Sequence, residues 1–408
     1  MNADKAHRIA AVPRVLGYGR HLIDDADIAA VVDVLRGETL TRGPQVERFE
    51  AVLAERVGAR YCVAVSSGTA ALHIACLAAG MKPGSAGLTT PLTFVASANA
   101  MLYCGGEATF ADIDPDALGL APDAVRAALE GRPEIAVVMP VHFAGLARHA
   151  AALRQLSGSR IVIEDACHSL GGAYEDGKEV GCGAYADMTV FSFHPVKPIT
   201  TAEGGAVMTN DPALYRLLRL LRCHGIERIA DRLVNRDEAF EGDAPNPWCA
   251  EQHMLGFNYR MSDLQAALGL SQLAKLDRFR MRRRDISRAY DAAFSALPDV
   301  RIPQSSAADR ARSAHHLYVL CIDFPKRSIT RKRVMEQLAA HGVGSQVHYL
   351  PVHRQPFHQV RAGFAPVQLP VADAHYRDCL SLPLHPGLTD DEVERVIRAV
   401  VLTIGEAC

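Results

Sequence analysis

Net charge is what this sequence has least of. Its 44 Lys and Arg against 46 Asp and Glu leave a formal charge of −2 over 408 residues. A general polyanion binder carries a basic excess, so no nucleic-acid partner is expected. The same balance, with 49% apolar residues, excludes a disordered chain. Any C-x-x-C pair is also missing. The ten cysteines are scattered, and none stands at a metal-type Cys/His spacing. They read as reduced, packed thiols of a cytoplasmic protein, with no metal centre. His348, His353 and His358 are spaced so that they do not share a helix face, which gives no metal site either. There is no unbroken apolar run. Between Arg60 and Lys82 lie 21 residues without Asp, Glu, Lys or Arg, and from Pro83 to Gly106 another 24. A membrane span needs about 20 predominantly apolar residues. Ser66-Ser67-Gly68-Thr69 and Pro83-Gly84 interrupt the two stretches with turn chemistry, so no membrane is expected. The first residues, MNADKAHRIAAVPR, lack the apolar core of a signal peptide.

What is present is an alternation of helix and strand signals. Asp27 to Arg36 puts Ile28, Val31, Val32 and Leu35 on one face of a helix, with Gly37 as its stop. Tyr61–Val65, Ile135–Met139, Ile161–Asp165, Met188–Phe193 and Gly205–Thr209 read as buried strands, and a helical period starts at Ala70. This pattern predicts an α/β sheet covered on both faces. From about Leu264 the chain turns helical. Beyond it a strand (Leu317–Asp323), a helix (Arg331–His341), a strand (Gly344–His348) and a last helix after Thr389 suggest a smaller α+β domain. The expected organisation is an N-terminal arm over residues 1–22, a large domain over 23–270 and a small C-terminal domain over 271–408. The first dozen residues are expected to be a mobile extra.

Three segments carry chemistry. The strand YCVAV runs into SSGTAAL, a Gly/Ser/Thr turn at a helix start whose free N–H groups suit a phosphate. It has no P-loop lysine and is not G-x-G-x-x-G. In IVIEDACHSLGG, Asp165 ends a buried strand, where open α/β sheets place ligands. In FSFHPVKPITTAEGG, Lys197 sits in a stiff loop between Pro195 and Pro198. Burial there lowers a lysine's proton affinity and makes it an amine nucleophile. Each segment alone also fits a packing or capping role. Together, a phosphate cradle, a strand-end aspartate and a buried lysine are the parts that pyridoxal 5′-phosphate requires.

On these segments, together with GYGRHLIDDADIAAV, LTRGPQVERFE, TTPLTFVASANA, RCHGIER, GFNYRMSDLQAALGLSQLAKLD and QVHYLPVHRQP, the chain resembles the DegT-type sugar-nucleotide aminotransferases over nearly its whole length. The resemblance implies the fold-type I architecture: a large, mixed, mostly parallel sheet domain and a smaller C-terminal α+β domain. PVHFAG, HPVKPITTAEGG and GFNYRMSDLQAALGLSQL look most like the 4-aminotransferase branch of pseudaminic acid synthesis. That implies transfer of glutamate's amino group, by a ping-pong route, to a UDP-linked 4-keto-6-deoxy-N-acetylhexosamine. Lys197 would be the Schiff-base lysine and proton shuttle, and Asp165 the partner of the pyridine nitrogen. Gly68, Thr69 and Ser192 would bind the phosphate, Phe94 would stack on the ring, and His168 would lie near its phenolic oxygen. Asn258 would reach the cofactor of a neighbouring subunit, implying a homodimer with shared active sites. Substrate contacts would come from Tyr18, Glu38, Thr39, Leu40, Thr41, Gly68, Ser192, Asn258, Val347, His348, Tyr349 and Leu350. Arg228 and Arg260 are candidates for an anion-binding locus.

Other readings are weaker. A sister enzyme would aminate another nucleotide-linked 3- or 4-keto sugar. Dehydratase relatives replace the lysine with histidine, which Lys197 argues against. A non-catalytic DNA-binding relative has only the run Arg278, Arg280, Arg282, Arg283 and Arg284 in its favour, and flanking Asp277 and Asp285 read it as a solvated helix face. Ala230–Gln252, which holds the single tryptophan, Trp248, is expected as a surface loop beside the active-site entrance.

Overall fold

The computed structural model describes residues 15–360 and 367–405. The first dozen residues, expected to be mobile, lie outside them. Seven strands form the main sheet: β1 (Tyr61–Val65), β2 (Ala86–Thr89), β3 (Glu107–Phe110), β4 (Ile135–Met139), β5 (Ile161–Asp165), β6 (Met188–Ser192) and β7 (Gly205–Thr209). Their order is β1-β7-β6-β5-β4-β2-β3, and every pairing is parallel except the two made by β7. The expected mixed, mostly parallel sheet is present. It also contains β2 and β3, short strands inside the second charge-free stretch and just after it.

Both faces are covered. Val63 and Val65 of β1 point into one apolar core, while Cys62 and Ala64 point into another. A strand buried on both sides cannot alternate polar and apolar residues, hence its continuous apolar reading. The charge-free stretches thus form sheet interior and two buried helices, α1 (Gly68–Ala78) and α2 (Ala96–Tyr103). Among the described residues no helix is long and apolar enough to cross a membrane.

A second unit carries a three-stranded antiparallel sheet of Val300–Arg301, Tyr318–Ile322 and Cys379–Leu382, with its own core. Leu16 belongs to that core and pairs with Val343, so the chain's start is stitched to its last third. The expected strand Gly344–His348 does not form. Only Gln346 exchanges backbone hydrogen bonds with Ser381, at 3.1 and 2.8 Å, before the chain leaves the sheet edge. The helix Asp25–Arg36 does form, but Ile28 and Leu35 are exposed and Asp27 is buried. An ion pair replaces the expected apolar face. Lys275 Nζ meets Asp27 Oδ1 at 2.8 Å and also pairs with Asp24. Gln272 Nε2 donates to Asp27 Oδ2 at 2.8 Å and to the Leu22 carbonyl at 3.0 Å.

The arginine run lies on the helix Leu276–Phe294 and is only in part the expected solvated face, with Arg278 exposed beside Asp24 and Arg284 paired with Asp285. Arg283 is fully buried and donates to the Leu384 carbonyl at 2.9 Å. Arg280 donates to the carbonyls of Ala311 and Ser313, and Arg282 to that of Leu388. These three guanidiniums are spent on backbone acceptors of the small unit and the other two pair with carboxylates, which weakens the one support of the DNA-binding alternative.

The buried Asp27–Lys275 pair has a measurable consequence. Lys275→Met should strand the Asp27 charge and lower unfolding stability by about 3 kcal/mol in a denaturant titration. A loss below about 0.5 kcal/mol would mean that this clamp does not hold the helix.

Candidate active site

The strand order decides which residues meet. Val65 ends β1 opposite Gly205, which begins the reversed β7, and Gly205 also pairs with Ser192 at the end of β6. Asp165 ends β5 in register with Val190 of β6. One edge of the sheet therefore gathers the start of α1, Ser192 and Asp165, at the carboxyl ends of the parallel strands. The α1 N-terminus sits unusually close to that edge. A Cβ on Gly205 would lie 2.6 Å from the Ser67 carbonyl oxygen and 2.8 Å from the Gly68 nitrogen. A Cβ on Gly68 would lie 2.8 Å from that of Ser192. Glycine at both places lets backbone meet backbone. Ser67 caps the helix by accepting the Ala70 amide at 3.1 Å. The N–H groups of Gly68 and Thr69 belong to the first turn, which has no intrahelical acceptor for them.

Lys197 follows β6 in a loop tied back on itself. Its amide donates to the His194 carbonyl at 2.9 Å, the amide of Thr201 donates to the Phe193 carbonyl at 3.0 Å, and that of Phe193 to the Gly204 carbonyl at 2.9 Å. Burial lowers the proton affinity of Lys197, against the opposing pull of Cys167 and Asp165. Cys167 itself is pushed well up by burial and then by Asp165, so its thiol is inert, as expected of a packing cysteine.

A cavity of about 420 Å³ opens on this edge. Tyr18, Gly68, Thr69, Phe94, Asp165, His168, Ser192, Lys197, Val347, His348 and Tyr349 all line it, so most of the predicted site residues come together. Phe94 is 58% exposed with its ring 6.3 Å from that of Tyr349. Tyr18 packs edge-on against His348 at 4.8 Å, and its carbonyl accepts the Leu384 amide at 2.9 Å. The Ala144 amide donates to Nδ1 of buried His168 at 3.3 Å. Burial, with Lys197 and His348 adding to it, holds His168 well below the ordinary histidine range. A neutral ring that accepts at Nδ1 carries its proton on Nε2, so His168 is a hydrogen-bond donor from that atom.

The other predicted residues lie elsewhere. Leu350 is outside the cavity wall, one residue past the segment that lines it. Glu38, Thr39, Leu40 and Thr41 are exposed, with the Leu40 carbonyl accepting the Asp263 amide at 3.0 Å. Asn258 pairs with Cys223. Cys223, Arg42, Arg228 and Arg260 line a separate groove of about 670 Å³. The segment Ala230–Gln252 folds into short helical turns and a two-residue hairpin. It contributes Arg232 to that groove and nothing to the wall around Lys197.

Sequence reasoning missed Ser97, whose hydroxyl donates to Asp165 Oδ2 at 2.7 Å, and His316, whose ring lies 4.2 Å from that of His168. It also missed the support behind Asp165. The neighbouring Glu164 is buried among His142 (3.3 Å), the Tyr174 hydroxyl (2.6 Å) and the Thr189 hydroxyl (2.9 Å). Burial pulls that carboxyl up, and these partners outweigh it and hold it below its ordinary value. Only the adjacency of Glu164 to Asp165 at a strand end could have flagged it.

The donor set fits pyridoxal phosphate on this geometry. It offers a helix start pressed on the sheet by two glycines, a carboxylate on the cavity wall, and a buried amine of lowered proton affinity. Lys197→Ala removes that amine, and the folded variant should lose the visible absorption of protein-bound cofactor.

The cavity's histidines also set an acid limit. Burial, then Lys197, pushes His348 down to about 4 from an ordinary 6.5. His168 and His316 are lowered the same way, largely by burial. Below pH 6.5 the unfolded chain binds protons that the folded one refuses, so stability falls as pH falls and the His348 share levels off below about 4. That share is about 3 kcal/mol. Unfolding at pH 7.5 and 5 should show the decline, with His348→Gln flattening it. An unchanged slope in that variant would contradict the assignment.

Comparison with known proteins agrees with this geometry. The model of the DegT/DnrJ/EryC1/StrS aminotransferase family matches residues 21–401. The spore coat polysaccharide biosynthesis protein SpsC of Bacillus subtilis is 37% identical over 388 residues, covering 94% of this chain and 96% of its own. Helicobacter pylori PseC, an aminotransferase involved in the biosynthesis of pseudaminic acid, superposes with a TM-score of 0.86 at 30% identity, over 96% of this chain and all of its own. The PLP form of the putative sugar aminotransferase Spr1654 from Streptococcus pneumoniae gives 0.83 at 26% identity, over 97% of this chain and 100% of its own. The chain thus belongs to the DegT/DnrJ/EryC1/StrS aminotransferase family and is a sugar aminotransferase that works with pyridoxal 5′-phosphate.

Proposed function

We propose that the enzyme aminates C4 of UDP-2-acetamido-2,6-dideoxy-β-L-arabino-hexos-4-ulose with L-glutamate as donor. The products are UDP-4-amino-4,6-dideoxy-N-acetyl-β-L-altrosamine and 2-oxoglutarate, in the pseudaminic acid pathway. The observation that carries this reading is the near end-to-end likeness to Helicobacter pylori PseC, joined to the cavity built around Lys197. Bound pyridoxal phosphate supplies an electron sink and a temporary carrier for the amino group. The chain supplies the rest. Lys197 removes and returns the proton at the substrate carbon, a task suited to an amine of lowered proton affinity. Asp165 holds the ring nitrogen's proton, and His168 donates from Nε2 toward the phenolic oxygen. Gly68, Thr69 and Ser192 hold the phosphate, while Phe94 stacks on the ring. Tyr18 and the stretch Val347–Tyr349 bound the sugar.

The cavity wall of one protomer contains no arginine among the described residues, although both substrates are anions. This supports a homodimer in which Asn258 and groove arginines such as Arg228 and Arg260 complete the partner's site. Exposed apolar residues favour such a surface. Leu255 is 79% exposed, and Tyr103, 56% exposed, sits in one ring cluster with His73 and Phe257. The nine described thiols are unpaired, which suits work in the cytoplasm.

A second reading is favoured by one fact. SpsC, a spore coat polysaccharide protein, is 37% identical against 30% for PseC, which supports a sister activity on another nucleotide-linked keto sugar. Incubation with glutamate and a panel of UDP- and dTDP-linked 3- and 4-keto sugars separates the two, with the product read by NMR. The expected product carries its amine at C4 of the UDP-linked sugar, and preference for a dTDP-linked or 3-keto substrate overturns the first reading. Lys197→Ala should cut turnover by at least about a thousandfold. Retained transamination in that variant would sink the role given to the lysine.

A further inference from the structure

Asp165 is not oriented by its strand alone. Its Oδ1 accepts the Cys167 amide at 3.2 Å, and its Oδ2 accepts the Ser97 hydroxyl at 2.7 Å. The Thr93 hydroxyl lies 2.7 Å from that of Ser97, and all three side chains are buried. A hydroxyl has a single proton, and an ionised carboxylate only accepts. Ser97 therefore spends its proton on Asp165, and Thr93 must donate to Ser97. The chain has one direction, Thr93 to Ser97 to Asp165, with the charge at its end.

Neither hydroxyl has other employment that explains it. Val95 occupies the cap position of α2, and no side chain caps that helix. The remaining contact of Ser97 Oγ, to the Phe94 carbonyl, is long at 3.4 Å. A buried serine that does not cap its own helix, aimed at a carboxylate on the wall of the cofactor cavity, is placed to act through that carboxylate.

We propose that Ser97 and Thr93 are positioning residues that fix the rotation of the Asp165 carboxylate and keep its negative charge on the oxygens that face the cofactor's ring nitrogen. The proposal rests on the reading of Asp165 as that nitrogen's partner. A donor on Oδ2 stabilises the anion, so the proton stays on the ring nitrogen and is not drawn to the carboxylate. Thr93 strengthens the Ser97 donor in turn.

The test uses holoenzyme of the wild type and of Ser97→Ala, Ser97→Thr, Thr93→Val and Asp165→Asn. Cofactor dissociation and the pH titration of the cofactor's visible absorption are measured for each. Ser97→Ala should raise the cofactor Kd roughly tenfold, in line with the loss of one hydrogen bond to a charged group. It should also move the titration midpoint in the direction of Asp165→Asn, by a smaller amount. Ser97→Thr keeps the hydroxyl and should restore both, while Thr93→Val should shift them less than Ser97→Ala. Should Ser97→Ala fail to fold, Thr93→Val and Ser97→Thr carry the same comparison. A titration unmoved by Ser97→Ala or by Thr93→Val, beside a moved Asp165→Asn, overturns the relay and leaves Asp165 its role. Ser97→Thr behaving like Ser97→Ala also overturns it, since packing alone then matters. An unmoved Asp165→Asn removes the role of Asp165, and the relay with it.

Discussion

The site depends on a contact between two stretches of backbone. Gly205 begins the one reversed strand of the main sheet, and its α-carbon passes so near Ser67 and Gly68 that no side chain fits between them. Gly68 presses in turn on Ser192. Because of this approach, a helix start, the end of β6 and the end of β5 share one small volume. A helix start brings unpaired N–H groups and the positive end of a dipole. Were either glycine an alanine, helix and sheet would separate by the width of a methyl group, and the lysine loop that closes back on Gly204 would move with them.

Charge is scarce at this place, and each instance is deliberate. The sequence is nearly neutral overall, and the cavity wall carries Lys197, Asp165 and Glu203 among histidines and aromatics. Low polarity keeps His168 and His348 uncharged and lowers the proton affinity of Lys197, with burial the main cause each time. An amine that must gain and lose protons near neutral pH needs such surroundings. The same burial makes acid destabilising, so chemistry and stability are coupled through one set of residues. The groove with Arg42, Arg228 and Arg260 is lined instead by several arginines.

Much of this was legible in the sequence because the relevant constraints are local. Continuous apolar strands announce a sheet covered on both faces, and β1, β4, β5 and β7 lie where their apolar runs predict. Asp165 and Lys197 stood out as polar residues at the ends of such runs. Illegible were features created by residues far apart along the chain. Ser97 looks like any small helix residue until the fold brings Asp165 to it, 68 positions away. His316 enters the cavity from the second unit. The polar side of the helix Asp25–Arg36 is buried because Lys275 waits 248 positions on from Asp27, and amphipathic patterning cannot see an ion pair. The middle of the arginine run was misread for the same reason, the acceptors of Arg280, Arg282 and Arg283 being backbone carbonyls of distant loops. Asn258 and Glu38–Thr41 lie off the cavity that Lys197 lines, a placement set by the fold and not by any local signal.

The central claim is that Lys197 is the amine this cavity exists to present. Reductive trapping tests it most directly: the holoenzyme is treated with borohydride, digested, and each peptide is weighed. The account predicts the mass of a reduced pyridoxyl phosphate on the peptide containing Lys197 and on no other. The same mass on a peptide carrying Lys82, Lys178 or Lys275, with Lys197 unmodified, would contradict it.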